Sequence, residues 1–131
     1  MSNRRKAPLA NLYRTEYLRS RAWFARRHRW FARQRTLGIP LLCAGCGQPA
    51  TVAELELHHL DYRGVITRGG VFKALEADDD LTPMHPYCHE LLHRLIDRDA
   101  VLAQNRSRRT ATDEALRRLR RKLQPATGSR S

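Results

Sequence analysis

The chain lacks any long apolar run. Nothing in its 131 residues approaches the length of a membrane span, and its basic arms contain no secretory h-region. Both absences argue against a membrane or exported protein. Cysteine is scarce, with three in all. That odd count, with two of them in a C-x-x-C knuckle, favours metal ligation over disulfides and makes a reducing cytoplasm the expected compartment. Lysine is nearly missing, since 22 of the 25 cationic residues are arginine. Guanidinium forks suit phosphate oxygens, although a GC-rich genome produces the same bias. There is no internal repeat. Only 41% of residues are hydrophobic, which allows one domain with one modest core, and small cores commonly gain stability from a structural metal.

The charge is abundant and uneven. The net value is +12, divided as +10 over residues 1–42, −5 over 43–93 and +7 over 94–131. An acidic centre between two basic arms suggests metal chemistry held against a polyanion, and nucleic acid fits better than a membrane surface.

Residues 1–12 show no periodicity and read as a disordered basic arm. Tyr13 to Arg35 reads as a helix with an apolar stripe of Leu18, Ala22, Trp23, Trp30 and Phe31, ended by Gly38 and Pro40. Core packing explains the two tryptophans better than base stacking does. Arginines off that stripe, among them Arg26, Arg27 and Arg29, are candidates to lie along phosphates. Gly45 and Gly47 suggest left-handed turns within the knuckle. Val52 to Leu60 partly alternates and suits a short strand. Val71 to Leu75 suits a second strand or a helical turn, and Asp78, Asp79 and Asp80 form an acidic turn. Pro86 is placed to open a helix running to about Asp99. A last helix is expected from Thr112, as N-cap, to Leu123, presenting Arg117, Arg118, Arg120 and Arg121 outward. Residues beyond it read as a disordered tail.

The segment Leu81 to His93 organises the chemistry, because His85, Cys88, His89 and His93 fall within nine residues. On a helix, His89 and His93 share one face and can grip one cation. Cys88 lies about 100° away from His89 and serves a different site. Cys43-x-x-Cys46 with His85-x-x-Cys88 supplies four soft or borderline ligands, as tetrahedral structural zinc requires. His58 joins His89 and His93 as a second ligand set, with His59 left as a general base. Neighbours on a regular strand face opposite ways, so base and ligand share a cleft only at a strand end or a bulge.

His89-Glu90-Leu91-Leu92-His93 also matches H-E-x-x-H, the zinc motif of metalloproteases. No histidine follows to complete it. Asp113 or Glu114 would serve only if the basic tail folded back, and the His58–His59 pair would go unexplained.

Taken together, Cys43-x-x-Cys46, Leu57-His58-His59-Leu60-x-Tyr62 and Asp80-Leu81-x-x-Met84-His85-x-x-Cys88-His89-x-x-x-His93 resemble the HNH endonucleases. The likeness extends upstream to YLRSRAWFARRHRWFARQR and covers roughly residues 13–97. It implies an α+β fold built on a small ββα-metal (His-Me finger) core, with a structural zinc knuckle, a preceding helix and a basic C-terminal helix. It implies one catalytic divalent cation (magnesium, manganese, nickel or zinc) on His58, His89 and His93, with His59 taking a proton from water. The products would be 5′-phosphate and 3′-hydroxyl ends. Two positions depart from the family pattern: Asp80 stands where an Asn usually braces the hairpin, and His85 replaces a cysteine ligand.

The expectation is thus a metal-dependent DNA endonuclease of phage or bacterial type, acting on double-stranded DNA. Residues 13–99 would form the nuclease domain and 100–131 a basic extension. The alternative is a non-catalytic, zinc-stabilised DNA-binding module, and the metalloprotease ranks third.

Overall fold

The computed structural model describes residues 14–98 and 107–124. The expected basic arm, the C-terminal tail and residues 99–106 lie outside the described residues. The fold is small and α+β: three longer helices, two short two-stranded antiparallel sheets, and a Cys/His knuckle.

Residues 14–18 are helical, but the long helix does not continue through them. The chain turns at Arg19, and Ser20 caps a new helix, α1 (Arg21–Leu37), accepting the Trp23 amide at 3.2 Å. The interruption corrects the expected single helix. Ser20 competes for backbone hydrogen bonds, which makes it a better cap than helix interior. The turn also changes which side chains face inward. Tyr17 is fully buried while Leu18 is 37% exposed. Trp23, Arg26, Trp30 and Phe31 make up the inner face of α1. The Trp30 indole donates to the Asp78 carbonyl at 3.0 Å, which satisfies its polar edge in the core.

Strand β1 is only Glu56–His59, because Val52–Glu54 forms a 3-10 turn closed by Glu54 on the Thr51 amide. β2 (Val65–Arg68) and β3 (Val71–Ala74) form a hairpin, so of the two readings open for Val71 to Leu75 the strand holds, as far as Ala74. Its two-residue turn is Gly69-Gly70, both at positive φ (59° and 78°), as a tight hairpin of this length demands. The Asp78–Asp80 turn leads into β4 (Leu81–Met84), which pairs antiparallel with β1 and sets His58 opposite Thr82 and His59 opposite Leu81.

Helix α2 (Pro86–Arg98) follows β4 after one residue, with Pro86 in its first position, where a missing amide costs nothing. Helix α3 (Arg108–Leu123) packs across α2. It starts four residues before the expected Thr112, and its cap is Ser107, which accepts the Thr110 amide at 3.1 Å. Thr112 is instead buried inside the helix. Ala111, Ala115, Leu116 and Leu119 join Leu92, Met84, Cys43 and Cys88 in one continuous core. The expected basic extension therefore supplies part of that core. Among the described residues, no helix is long and apolar enough to cross a membrane.

Candidate metal centres and the histidine cleft

The four knuckle residues meet as their spacing predicts. One ligand atom from each of Cys43, Cys46, His85 and Cys88 lies within 4.8 Å of the others. Tetrahedral zinc with bonds near 2.3 Å needs edges of roughly 3.8 Å, and the Cys46 Sγ–His85 Nδ1 edge of 3.4 Å is close to that. The knuckle is anchored by the Ala44 amide on the Pro83 carbonyl at 2.8 Å, fastening it to the end of β4.

Amides of Gly45 and His85 both reach Cys43 Sγ at 3.3 Å. Burial raises the Cys43 thiol, but donation from the His85, Cys46 and Gly45 amides outweighs it and brings the thiol down to about 7. Cys43 is thereby poised as thiolate, the ligand form. Burial first, and then hydrogen bonding and charge from Cys43 and Cys46, push the Cys88 thiol up to about 12. Gly47 takes a left-handed conformation (φ 79°), whereas Gly45 does not. Gly45 is required for another reason: a Cβ there would sit 3.0 Å from Cys88 Cβ. All three cysteines are free thiols. The donor set and its geometry are compatible with a structural zinc site.

A second cluster forms where β1, α2 and α3 converge. His58 Nδ1 lies 3.1 Å from His89 Nε2, and His93 Nε2 lies 3.0 Å from the same atom. Three imidazole nitrogens therefore aim at one point and could hold a cation. Each ring is turned by a partner at its far side or by burial. His58 Nε2 meets Thr112 Oγ1 at 3.0 Å, and His89 Nδ1 meets Glu56 Oε1 at 2.8 Å. The Glu56 carboxylate, an acceptor only, favours the His89 tautomer with Nε2 bare, and the Thr112 hydroxyl, which can accept as well as donate, is placed to do the same for His58. Burial, with the nearby Arg108 and the other imidazoles, holds His58 far below the ordinary histidine range. Burial, His89 and Arg108 lower His93 to about 4. Both are neutral near pH 7, as metal ligation requires.

His59 leaves the strand on the other side. Its Nε2 is 2.7 Å from Glu76 Oε2, and Tyr17 donates its hydroxyl to that same oxygen at 2.6 Å. The His59 ring stacks on Tyr62 at 4.1 Å and packs against Trp23 at 4.7 Å. Yet His59 lines the same cleft of about 220 Å³ as His89 and His93. The difficulty posed by strand alternation is met because His59 is the last residue of β1, with the chain turning at Leu60. Arg14 and Arg108 also line this cleft and lie over the Tyr62 ring at 5.0 and 4.9 Å. Burial lowers His59 despite its carboxylate partner. Burial raises Glu76, but the His59 and Tyr17 hydrogen bonds more than offset this and bring it below its ordinary value. The pair is a neutral imidazole on an ionised carboxylate.

Asp80 sits beside the cleft and is almost completely buried. Its carboxylate binds Arg109 and, at 3.3 Å, Arg63, while its carbonyl accepts the Leu60 amide at 2.7 Å. It ties the exit of β1 to the entry of β4.

The arginines expected to contact phosphate divide into two groups. Arg26 is a correction: it is 7% exposed, and it donates twice to the Glu76 carbonyl (3.0 and 2.9 Å) and once to Asp78 at 2.5 Å. It is not free to lie along a phosphate, because it is buried and three of its hydrogen bonds are committed to these two acceptors. Arg27 is half-buried and bonds the Val52 and Leu55 carbonyls. Arg29, Arg117, Arg120 and Arg121 are exposed, and the last three border an open hollow on α3. Arg118 is half-buried and pairs with Glu114 at 3.2 Å. In the H-E-x-x-H segment, Glu90 is exposed and pairs with Arg94 at 2.7 Å along the outer surface of α2.

Comparison with family models, curated proteins and solved structures finds no match to this chain.

Glu76, Tyr17, Thr112 (read as a cap), Arg14 and Arg108 escaped sequence reasoning. Glu76 sits two residues ahead of an acidic run, and only the fold separates it from the solvated Asp79. The one available signal was the apolar company of Ala74 and Leu75 just before it.

Proposed function

We propose that this protein is a metal-dependent endonuclease of the HNH type, hydrolysing phosphodiester bonds in DNA. One observation carries the reading: three imidazole nitrogens converge, and two of their rings, His89 and His93, share the wall of one cleft with a fourth, carboxylate-paired histidine. A zinc-stabilised binding module needs the knuckle alone and gives no reason for the second cluster. The order β1, β4, α2, with His58 on the first strand and His89 and His93 on the helix, agrees with a ββα-metal core into which the β2–β3 hairpin is inserted.

His58, His89 and His93 would hold the cation through Nδ1, Nε2 and Nε2. When bound there, a divalent cation would offset charge on the scissile phosphate and the leaving 3′ oxygen. His59 takes a proton from water as the water oxygen bonds to phosphorus. The P–O3′ bond breaks, leaving a 5′-phosphate, and the 3′ oxygen gains a proton from solvent. Arg14 and Arg108 orient the phosphate from the cleft wall. Asp80 holds β1 and β4 together behind the base. The cations of α3, from Arg108 to Arg121, extend over roughly 20 Å and would follow the flanking backbone.

The deciding experiment is plasmid cleavage by wild type and His59→Ala, with EDTA or with magnesium, manganese, nickel or zinc. Metal-dependent nicking or linearisation that is lost in the variant is expected. DNA bound but never cut under any metal would leave the binding module as the better reading.

A further inference from the structure

We propose that Glu76 is a positioning residue. It accepts the Nε2 proton of His59, so that the imidazole works through Nδ1 as one half of a Glu–His dyad. This rests on the nuclease reading for its consequence, but its geometry stands by itself.

Three features argue that Glu76 is placed for this purpose. First, a single oxygen, Oε2, receives both the Tyr17 hydroxyl (2.6 Å) and His59 Nε2 (2.7 Å), as an ionised carboxylate oxygen can. An acceptor-only partner requires the proton to sit on Nε2, which leaves Nδ1 as the bare nitrogen, and the described residues give Nδ1 no partner. Second, the backbone of Glu76 is clamped from two sides. Arg26 grips its carbonyl with two hydrogen bonds, and Gly64 lies so close that a Cβ there would meet Glu76 Cα and N at 2.5 Å. Third, the other oxygen, Oε1, is buried without a hydrogen bond, and its nearest cation, Arg26, is 4.0 Å away. A carboxylate serving stability alone would be expected to have both oxygens satisfied. Here the carboxylate is directed at the imidazole instead, at a cost in solvation.

Stacking on Tyr62 and packing on Trp23 limit rotation of the His59 ring, so the tautomer decides which nitrogen is available. With the proton on Nδ1 instead, the base would have no lone pair for water on that side. In a serine-protease triad, removing the charge of the orienting carboxylate while keeping its shape lowers turnover by about 10⁴ through the wrong tautomer.

The test uses the full chain, zinc-loaded and labelled with ¹⁵N-histidine, read by long-range ¹H–¹⁵N correlation and by plasmid cleavage. Wild type should show His59 protonated at Nε2. In Glu76→Gln, which keeps the shape but can present an amide N–H to the ring, that signature should shift toward Nδ1–H. Cleavage should fall on the order of 10²-fold or more while DNA retention holds. Tyr17→Phe removes the other donor to Oε2 and should keep the wild-type tautomer. A wild-type His59 carrying its proton on Nδ1 overturns the dyad, even if Glu76→Gln fails to fold. So does a folded Glu76→Gln with unchanged signature and cleavage within about twofold of wild type. If wild type cuts nothing under any metal, the nuclease reading fails, and the spectra still decide the dyad.

Discussion

Thr112 Oγ1 lies 3.0 Å from His58 Nε2, joining a buried strand histidine to a helix fifty-four residues further along the chain. The contact makes α3 part of the histidine cluster. It orients His58 so that Nδ1, not Nε2, meets His89.

Thr112→Val should therefore weaken divalent metal at the triad by roughly 10- to 100-fold, the usual loss when such an outer partner is removed. Thr112→Ser, which keeps the hydroxyl, should stay near wild type. Calorimetric titration of the zinc-loaded protein with manganese or nickel reads both. Equal affinity in wild type and Thr112→Val would remove Thr112 from the metal centre.

Replacing Arg26 separates a folding arginine from a binding one. Arg26→Ala strands the Glu76 carbonyl in the interior and removes one of the two arginines on Asp78, leaving Arg33, and should cost about 2 kcal/mol in urea unfolding. Exposed Arg117 and Arg121 should show the opposite pattern. Their alanine variants should unfold like wild type but bind DNA with a salt slope smaller by about one per lost phosphate contact. An Arg26→Ala protein as stable as wild type would contradict the buried pairing.

Stability should fall as the solution is made more acidic. His58, His59 and His93 all have folded values below the ordinary 6.5, and Glu76 lies below 4.5. The unfolded chain then binds more protons than the folded one, so the contribution is complete above about 6.5. It is lost as pH falls, for His93 down to about 4. Each buried histidine adds a slope of up to roughly 1.4 kcal/mol per pH unit. Urea midpoints at pH 7, 6 and 5 and constant ionic strength should decline, with a shallower decline in His93→Gln. Midpoints independent of pH over this range would count against neutral buried imidazoles.

The knuckle should behave as part of the core. Cys43→Ser should lose one equivalent of zinc, and with it the cooperative unfolding transition, because Cys43 and Cys88 sit among Met84, Leu92 and Leu119. Metal analysis and near-UV circular dichroism check this together. A folded Cys43→Ser protein without zinc would show that the apolar packing suffices alone.

Both ligand clusters were legible in the sequence, because short-range spacing determines their geometry. Two histidines four apart share a helix face whatever surrounds them, a cysteine one residue earlier faces another way, and proline marks where that helix begins. The inward tryptophans follow from an equally local rule. The inward turn of Arg26, the exchange of Thr112 from cap to histidine partner, and the selection of Glu76 beside a run of three aspartates were decided only by tertiary structure. Those are pairings of polar groups across fifty or so residues, and polar side chains carry no period that reveals their partners. Whether an arginine or a glutamate is solvated or buried depends on which surfaces close over it. Here α1, the residues after β3, and α3 close together around the end of β1.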